Sequence, residues 1–193
     1  MKLNWVTKLA LLFVLLGAAW AQGPSYPYSV TITFTASTGT VTGYNMYRAP
    51  YTTTCGTYAK LNTAPFTGTT YTDSNPAQGA YCYAATAVDG TAESGLSQPV
   101  TNIQIPPPPP SGLGVTLAQN KSADNATFAW KQSKGTKLSG NSLFCDGSLK
   151  KTIAPTTKLQ LTVTKGLHTC DVTASAAQGM SGPSNSVTFT ENK

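Results

Sequence analysis

Residues 79–101, GAYCYAATAVDGTAESGLSQPVT, return 87 positions later as residues 166–188, GLHTCDVTASAAQGMSGPSNSVT. In this register Gly79 falls on Gly166, Thr86-Ala87 on Thr173-Ala174 and Ser94-Gly95 on Ser181-Gly182. Ser97 likewise falls on Ser184, and Val100-Thr101 on Val187-Thr188. One internal duplication accounts for all these matches, so the chain holds two copies of one structural unit. Each copy carries two cysteines, Cys55 and Cys82 in the first and Cys145 and Cys170 in the second, on either side of five prolines at 106–110.

The local pattern within each copy is that of strands. Residues 29–35 (SVTITFT), 81–87 (YCYAATA), 126–130 (ATFAW) and 159–163 (LQLTV) alternate with period two, and Gly, Pro, Ser, Thr and Asn punctuate the runs between them. Asp146-Gly147 is a two-residue hairpin signal. After the N-terminal leader no segment keeps a helical stripe. Many short strands at regular spacing predict an all-β sandwich or barrel. The prolines enforce an extended, semi-rigid segment, and their place between the copies suits a spacer better than a proline-rich ligand. The expected division is a signal peptide at 1–21, a first domain at 22–105, a linker at 106–111 and a second domain at 112–193.

The leader has the three parts of a secretory signal. Lys2 and Lys8 give it positive charge, residues 9–19 are apolar, and Ala19-Trp20-Ala21 is a small-residue cleavage site. An apolar core of about 11 residues is short of the roughly 20 that a spanning helix needs. The expectation is a protein secreted to the extracellular space or periplasm, with no membrane insertion after cleavage. In that compartment an even count of cysteines points to disulfides, and close C-x-x-C metal spacing is absent. Of three connectivities, Cys55–Cys82 with Cys145–Cys170 is preferred because each pair lies within one copy.

Charge is unevenly divided. The full chain has a formal net charge of +6, but residues 22–105 carry Arg48 and Lys60 against Asp73, Asp89 and Glu93, a net of −1. Residues 106–193 carry nine lysines against Asp124, Asp146, Asp171 and Glu191, a net of +5. These lysines fit a solvated β-surface guarded against edge pairing. A patch for acidic glycans is the sharper alternative. Without arginine or interleaved aromatics in this half, a nucleic-acid partner is not expected.

With these residues in place, the chain resembles tandem fibronectin type III domains of secreted bacterial proteins. The first copy shows a tyrosine-bearing strand at 44–48, TTYTD at 69–73, a tyrosine-rich strand at 81–87, and ESGLS at 93–97 leading into a last strand. In the second copy Trp130 stands at the core tryptophan position of the family, where the first has Phe34. The resemblance implies an immunoglobulin-like β-sandwich for each copy. It also places Tyr81, Tyr83, Ala85 and Ala87 toward the core and Cys82 on the opposite sheet face, clipping Cys55 from outside. In the second copy the same alternation puts Cys145 and Cys170 on the inner face. Asp73 and Asp89 fall at turn aspartate positions of the family.

Catalytic material is sparse. The single histidine, His168, takes the place of core-facing Tyr81 and reads as structural; the seven acids are scattered, and no catalytic, cofactor or metal site is expected. All nine tyrosines lie in the first copy. Tyr44, Tyr71, Tyr81 and Tyr83 are core by register, whereas Tyr47, Tyr51, Tyr58, Tyr26 and Tyr28 are candidates for exposure. Tyr47, Tyr51 and Tyr58 are a possible ligand surface, since tyrosine offers large contact area at low entropy cost; packing along loops is the plainer reading. The functional expectation is a non-enzymatic extracellular interaction or structural module, with a carbohydrate-binding module as the alternative. The partner is then an extracellular protein or a polysaccharide.

Overall fold

The computed structural model describes residues 26–120 and 123–192; the expected signal peptide lies outside them. The chain divides into two compact units, the first spanning Tyr28–Ile105 and the second Pro106–Lys193. All regular structure among the described residues is β.

The first unit is built from β1 (Ser29–Thr33), β2 (Gly43–Pro50), β3 (Ala59–Lys60), β4 (Thr70–Ser74), β5 (Gly79–Asp89), β6 (Ala92–Glu93) and β7 (Val100–Ile105). β1 pairs antiparallel with β4, and β2 lies between β3 and β5, with β6 and β7 also on β5. Alternation decides what faces inward. Val30 and Ile32 of β1 are buried while Ser29, Thr31 and Thr33 are exposed. Tyr44 and Met46 of β2 and Tyr83, Ala85 and Ala87 of β5 meet them in one core with Phe34. The Phe34 and Tyr44 rings meet edge to face with centroids 4.8 Å apart. Tyr28, a candidate for exposure on sequence, is buried in this core at 6% exposure, whereas Tyr26 is open. Tyr28 lies two residues before Val30, so the alternation of β1 extends back to it.

The second unit repeats the plan with β8 (Ser111–Asn120), β9 (Ala123–Lys131), β10 (Gly140–Cys145), β11 (Ser148–Ile153), β12 (Lys158–Thr162), β13 (Gly166–Ala176), β14 (Gly179–Met180) and β15 (Val187–Glu191). One sheet has the order β12-β9-β8, and the other β11-β10-β13 with β14 and β15 beside β13. Its core joins Leu113, Phe128, Trp130, Leu143, Val172 and Phe189. Asp146 and Gly147 have φ of 55° and 71°, the doubly left-handed geometry of a type I′ turn, and connect β10 to β11. The proline run falls in this unit. The Ser133 hydroxyl donates to the Pro108 carbonyl at 2.5 Å, and Pro107 and Pro110 are fully buried, so this stretch is packed rather than a bare spacer.

The Ser-Gly-x-Ser motif shared by the copies has one physical task. Between β6 and β7 the chain runs beside β5 without forming a strand. There Ser94 N–H donates to the Ala87 carbonyl while its hydroxyl accepts the Ala87 N–H, both at 2.9 Å. Ser97 does the same for Ala85, and Ser181 and Ser184 for Ala174 and Val172. Each hydroxyl donates in turn to the carbonyl of the residue that follows it, Gly95, Gln98, Gly182 or Asn185. Serine side chains thus stand in for missing ladder acceptors and give the Ala85, Ala87, Val172 and Ala174 amides their partners.

The two disulfides lie on opposite sides of equivalent sheets. Cys145 and Cys170 are cross-strand neighbours on β10 and β13, bonded, and part of the second core. Cys55 and Cys82 are bonded, but the first core contains neither. Cys82 is nonetheless fully buried, covered on its own face of the sheet by Cys55 and neighbouring side chains.

Candidate binding surface

On β2 the side chains that turn away from the core are Asn45, Tyr47 and Ala49, and Tyr51 continues their alternation. Tyr47 lies opposite Ala84 of β5 and Lys60 of β3, and Ala49 lies opposite Cys82. Tyr51 pairs with Cys55, and Tyr58 lies just before β3. Tyr47 and Tyr51 therefore share one sheet face beside the Cys55–Cys82 bridge, and the strand register does not extend to Tyr58. Each is half-buried. Burial raises the Tyr58 phenol above its ordinary pKa.

Glu93 organises one end of this face. A single carboxylate oxygen accepts from the Thr86 hydroxyl at 2.5 Å, the Tyr47 hydroxyl at 2.7 Å and the Asn45 amide at 2.9 Å. These three donors, Thr86 foremost, hold the carboxyl at a pKa of about 2. In return the Tyr47 phenol is raised, first by that hydrogen bond and then by burial. Asn62 locks the arrangement from the β3 side: its amide donates to Asn45 Oδ1 at 2.8 Å and its own oxygen accepts the Met46 N–H at 2.8 Å. The other Glu93 oxygen makes no hydrogen bond among the described residues, although Lys60 lies close enough to favour its charge. At neutral pH such a carboxylate neither gives nor takes a proton, but it is a fixed acceptor on an exposed edge.

Sequence reasoning missed Glu93, which counted as one scattered acid. One signal was available: in the 87-residue register its counterpart is Met180, so the carboxylate belongs to the tyrosine-bearing copy alone.

Asp73 is not the turn residue that the resemblance implied. It is buried on β4 and accepts both the Arg48 guanidinium and the Tyr83 hydroxyl at 2.7 Å. Arg48 also lies 4.8 Å from the Tyr81 ring centroid. This group ties the two sheets together from inside. Burial and the Asp73 carboxylate push the Tyr83 phenol far up.

In the second unit His168 is half-buried and clasps two turns. Nδ1 meets Asp146 Oδ2 and Nε2 meets the Thr164 carbonyl, each at 2.8 Å, and the ring lies tilted against Phe189 with centroids 5.5 Å apart. A carboxylate and a carbonyl both accept, so the two bonds together favour the doubly protonated ring. The Asp146 bond, with Thr164 behind it and Lys150 opposing, raises the His168 pKa above 6.5. The His168 bond and the Thr169 N–H lower that of Asp146 below 3.8. The histidine contribution is complete below its unfolded pKa and is lost as pH rises through the higher folded value. The aspartate contribution holds above its unfolded pKa and is lost as pH falls through the lower folded one. Thermal unfolding followed against pH should therefore show the second unit most stable between about pH 4 and 6.5, with the alkaline decline missing in His168→Gln.

No family model matches the sequence, and no curated protein matches it. Among solved structures, a two-domain fibronectin type III segment of chicken tenascin aligns with a TM-score of 0.56 at 12% identity, over 96% of this chain and 100% of that one. The first three such domains of chicken contactin 1 align at 15% identity and a TM-score of 0.41, over 97% of this chain and 67% of that one. At 12% identity the tenascin likeness bears on fold alone: the chain is a tandem of two β-sandwiches of the fibronectin type III kind.

Proposed function

We propose that this chain is a secreted, non-enzymatic module that binds an extracellular partner through the tyrosine face of its first sandwich. The observation that carries the reading is the Glu93 arrangement. Tyr47 converges with Asn45 and Thr86 on one Glu93 oxygen and is fixed by it, while Tyr51 and Tyr58 remain partly open. Rigid aromatic area that is already ordered loses little entropy when a partner covers it. A proton-transfer role suits this face poorly: its carboxyl is held at about 2 and the Tyr47 phenol is raised.

A polysaccharide partner is the second reading, favoured by the Glu93 oxygen left open beside the rings. Sugar rings pack on tyrosine, and a fixed carboxylate oxygen accepts sugar hydroxyls. Soluble polysaccharides and extracellular protein fractions offered to the full chain separate the two. The expected result is retention of one partner class that Tyr47→Ala, Tyr51→Ala and Tyr58→Ala together abolish. Unchanged retention by that triple variant would remove the tyrosine face from the account.

A further inference from the structure

The second sandwich is electrically polarised along its strands. β9 ends at Lys131, β10 begins at Gly140, β11 ends at Ile153 and β12 begins at Lys158, and the pairings place all four at one end. Ser111 of β8 pairs with Lys131 there, and Ser175 of β13 pairs with Gly140. This end therefore comprises residues 106–112, 131–140, 153–158 and 175–182. It contains Lys131, Lys134, Lys137 and Lys158 and no aspartate or glutamate. All four lysines are exposed. The acids of this half lie elsewhere: Asp124 opposite Gln119, Asp146 in the opposite hairpin, Asp171 midway along β13 and Glu191 opposite Gly166.

The loop that carries Lys134 and Lys137 is held rather than loose. Beneath it Gln132 and the fully buried Asn141 exchange amide hydrogen bonds at 2.8 and 3.0 Å. Gln132 also donates to the Thr156 carbonyl, and Asn141 accepts the Thr156 N–H, each at 3.0 Å, which ties this loop to the approach of β12. The Ser133 hydroxyl accepts the Gly135 N–H at 3.0 Å while donating to Pro108. One loop, the strand end before it and a strand start thus present like charges at one end of the sandwich. Like charges repel, so the arrangement costs stability and is relieved when a polyanion neutralises it.

We propose that this end of the second sandwich binds an acidic polysaccharide. Its chemistry selects among polyanions. No arginine is present in this half, so the forked donor geometry that grips phosphate or carboxylate bidentately is missing, and the lysines act as point charges. No exposed aromatic or large apolar side chain of the described residues lies here, since Leu149 and Leu167 lie toward the opposite end of this sandwich. Bases therefore have nothing to stack on and a lipid surface nothing to receive it. A hydroxyl-rich chain bearing carboxylates at intervals needs only ammonium groups at intervals. The inference goes beyond the tyrosine face and stands without it.

The test uses the full chain and alginate as a carboxylated probe, with binding measured at low and at raised salt. Two triple variants remove equal charge from exposed sites: Lys134→Gln, Lys137→Gln and Lys158→Gln, against Lys150→Gln, Lys151→Gln and Lys165→Gln. Salt-sensitive binding is expected, weakened about tenfold or more by the first triple and about twofold or less by the second. Equal weakening by both would reduce the effect to net charge and overturn the proposal. So would no alginate binding at low salt, or tighter binding to duplex DNA or to phosphatidylserine vesicles than to alginate.

Discussion

Asp73→Ala is expected to destabilise the first sandwich by about 3 kcal/mol, the largest single-residue effect in that unit. The Asp73 side chain is 11% exposed and its carboxylate accepts from two donors at once. Its loss leaves the phenol of Tyr83, itself 1% exposed, without its acceptor, and leaves Arg48 half-desolvated without its ion partner. Both penalties are desolvation costs that no new contact repays. Tyr83→Phe removes only a donor and is expected to cost about 1 kcal/mol. Arg48→Ala keeps a buried carboxylate and discards its charge partner, so its cost should approach that of Asp73→Ala. Urea unfolding of the four proteins, with Asp73→Ala/Tyr83→Phe as the closing double variant, measures the coupling directly. A cost below about 1 kcal/mol for Asp73→Ala would mean that the group behaves as a surface ion pair and does not join the sheets.

Removing the second disulfide should be comparably severe. The bond between Cys145 and Cys170 closes a separation of 25 residues, worth about 3–4 kcal/mol in the chain-entropy model. Both sulfurs lie in the core with Leu113, Phe128 and Trp130, so Cys145→Ala/Cys170→Ala also opens a cavity. The first bond closes a similar separation of 27 residues but lies outside its core. Cys55→Ala/Cys82→Ala should therefore cost less, by roughly 1–2 kcal/mol. Thermal unfolding of the two double variants checks the order.

Much of this architecture was legible because two signals were redundant. The 87-residue register set Ser94 and Ser97 on Ser181 and Ser184, and the hydroxyl bridges to the central strands give that spacing its cause. Period-two alternation separated Cys82 from Tyr81 and Tyr83, and Cys170 with Val172 from the exposed face. What escaped was polar partnership across sheets. Asp73 alternates inward with Tyr71, and Arg48 inward with Tyr44 and Met46. The resemblance set Asp73 at a turn position, and only the packing of one sheet on the other brings the pair together. Glu93 was obscure because its three donors come from β2 and β5, far apart in sequence. The lysine end needed strand directions, since Lys134 and Lys158 meet only after the chain has run out and back.

The two bridges divide the work: the first supports the tyrosine face, the second the core. Amide hydrogen exchange on Cys55→Ala/Cys82→Ala tests this most directly. Tyr51 N–H, bound to the Ala80 carbonyl, and Gly56 N–H, bound to that of Pro50, both at 2.8 Å, lie in the segment that the first bridge holds. The expected result is that these amides lose protection while those of β1, β4 and β5 keep theirs, and that Cys145→Ala/Cys170→Ala instead loosens β9, β10 and β13 together. Loss of protection throughout β1, β4 and β5 in the first variant, with Tyr51 and Gly56 no more affected than the rest, would contradict it.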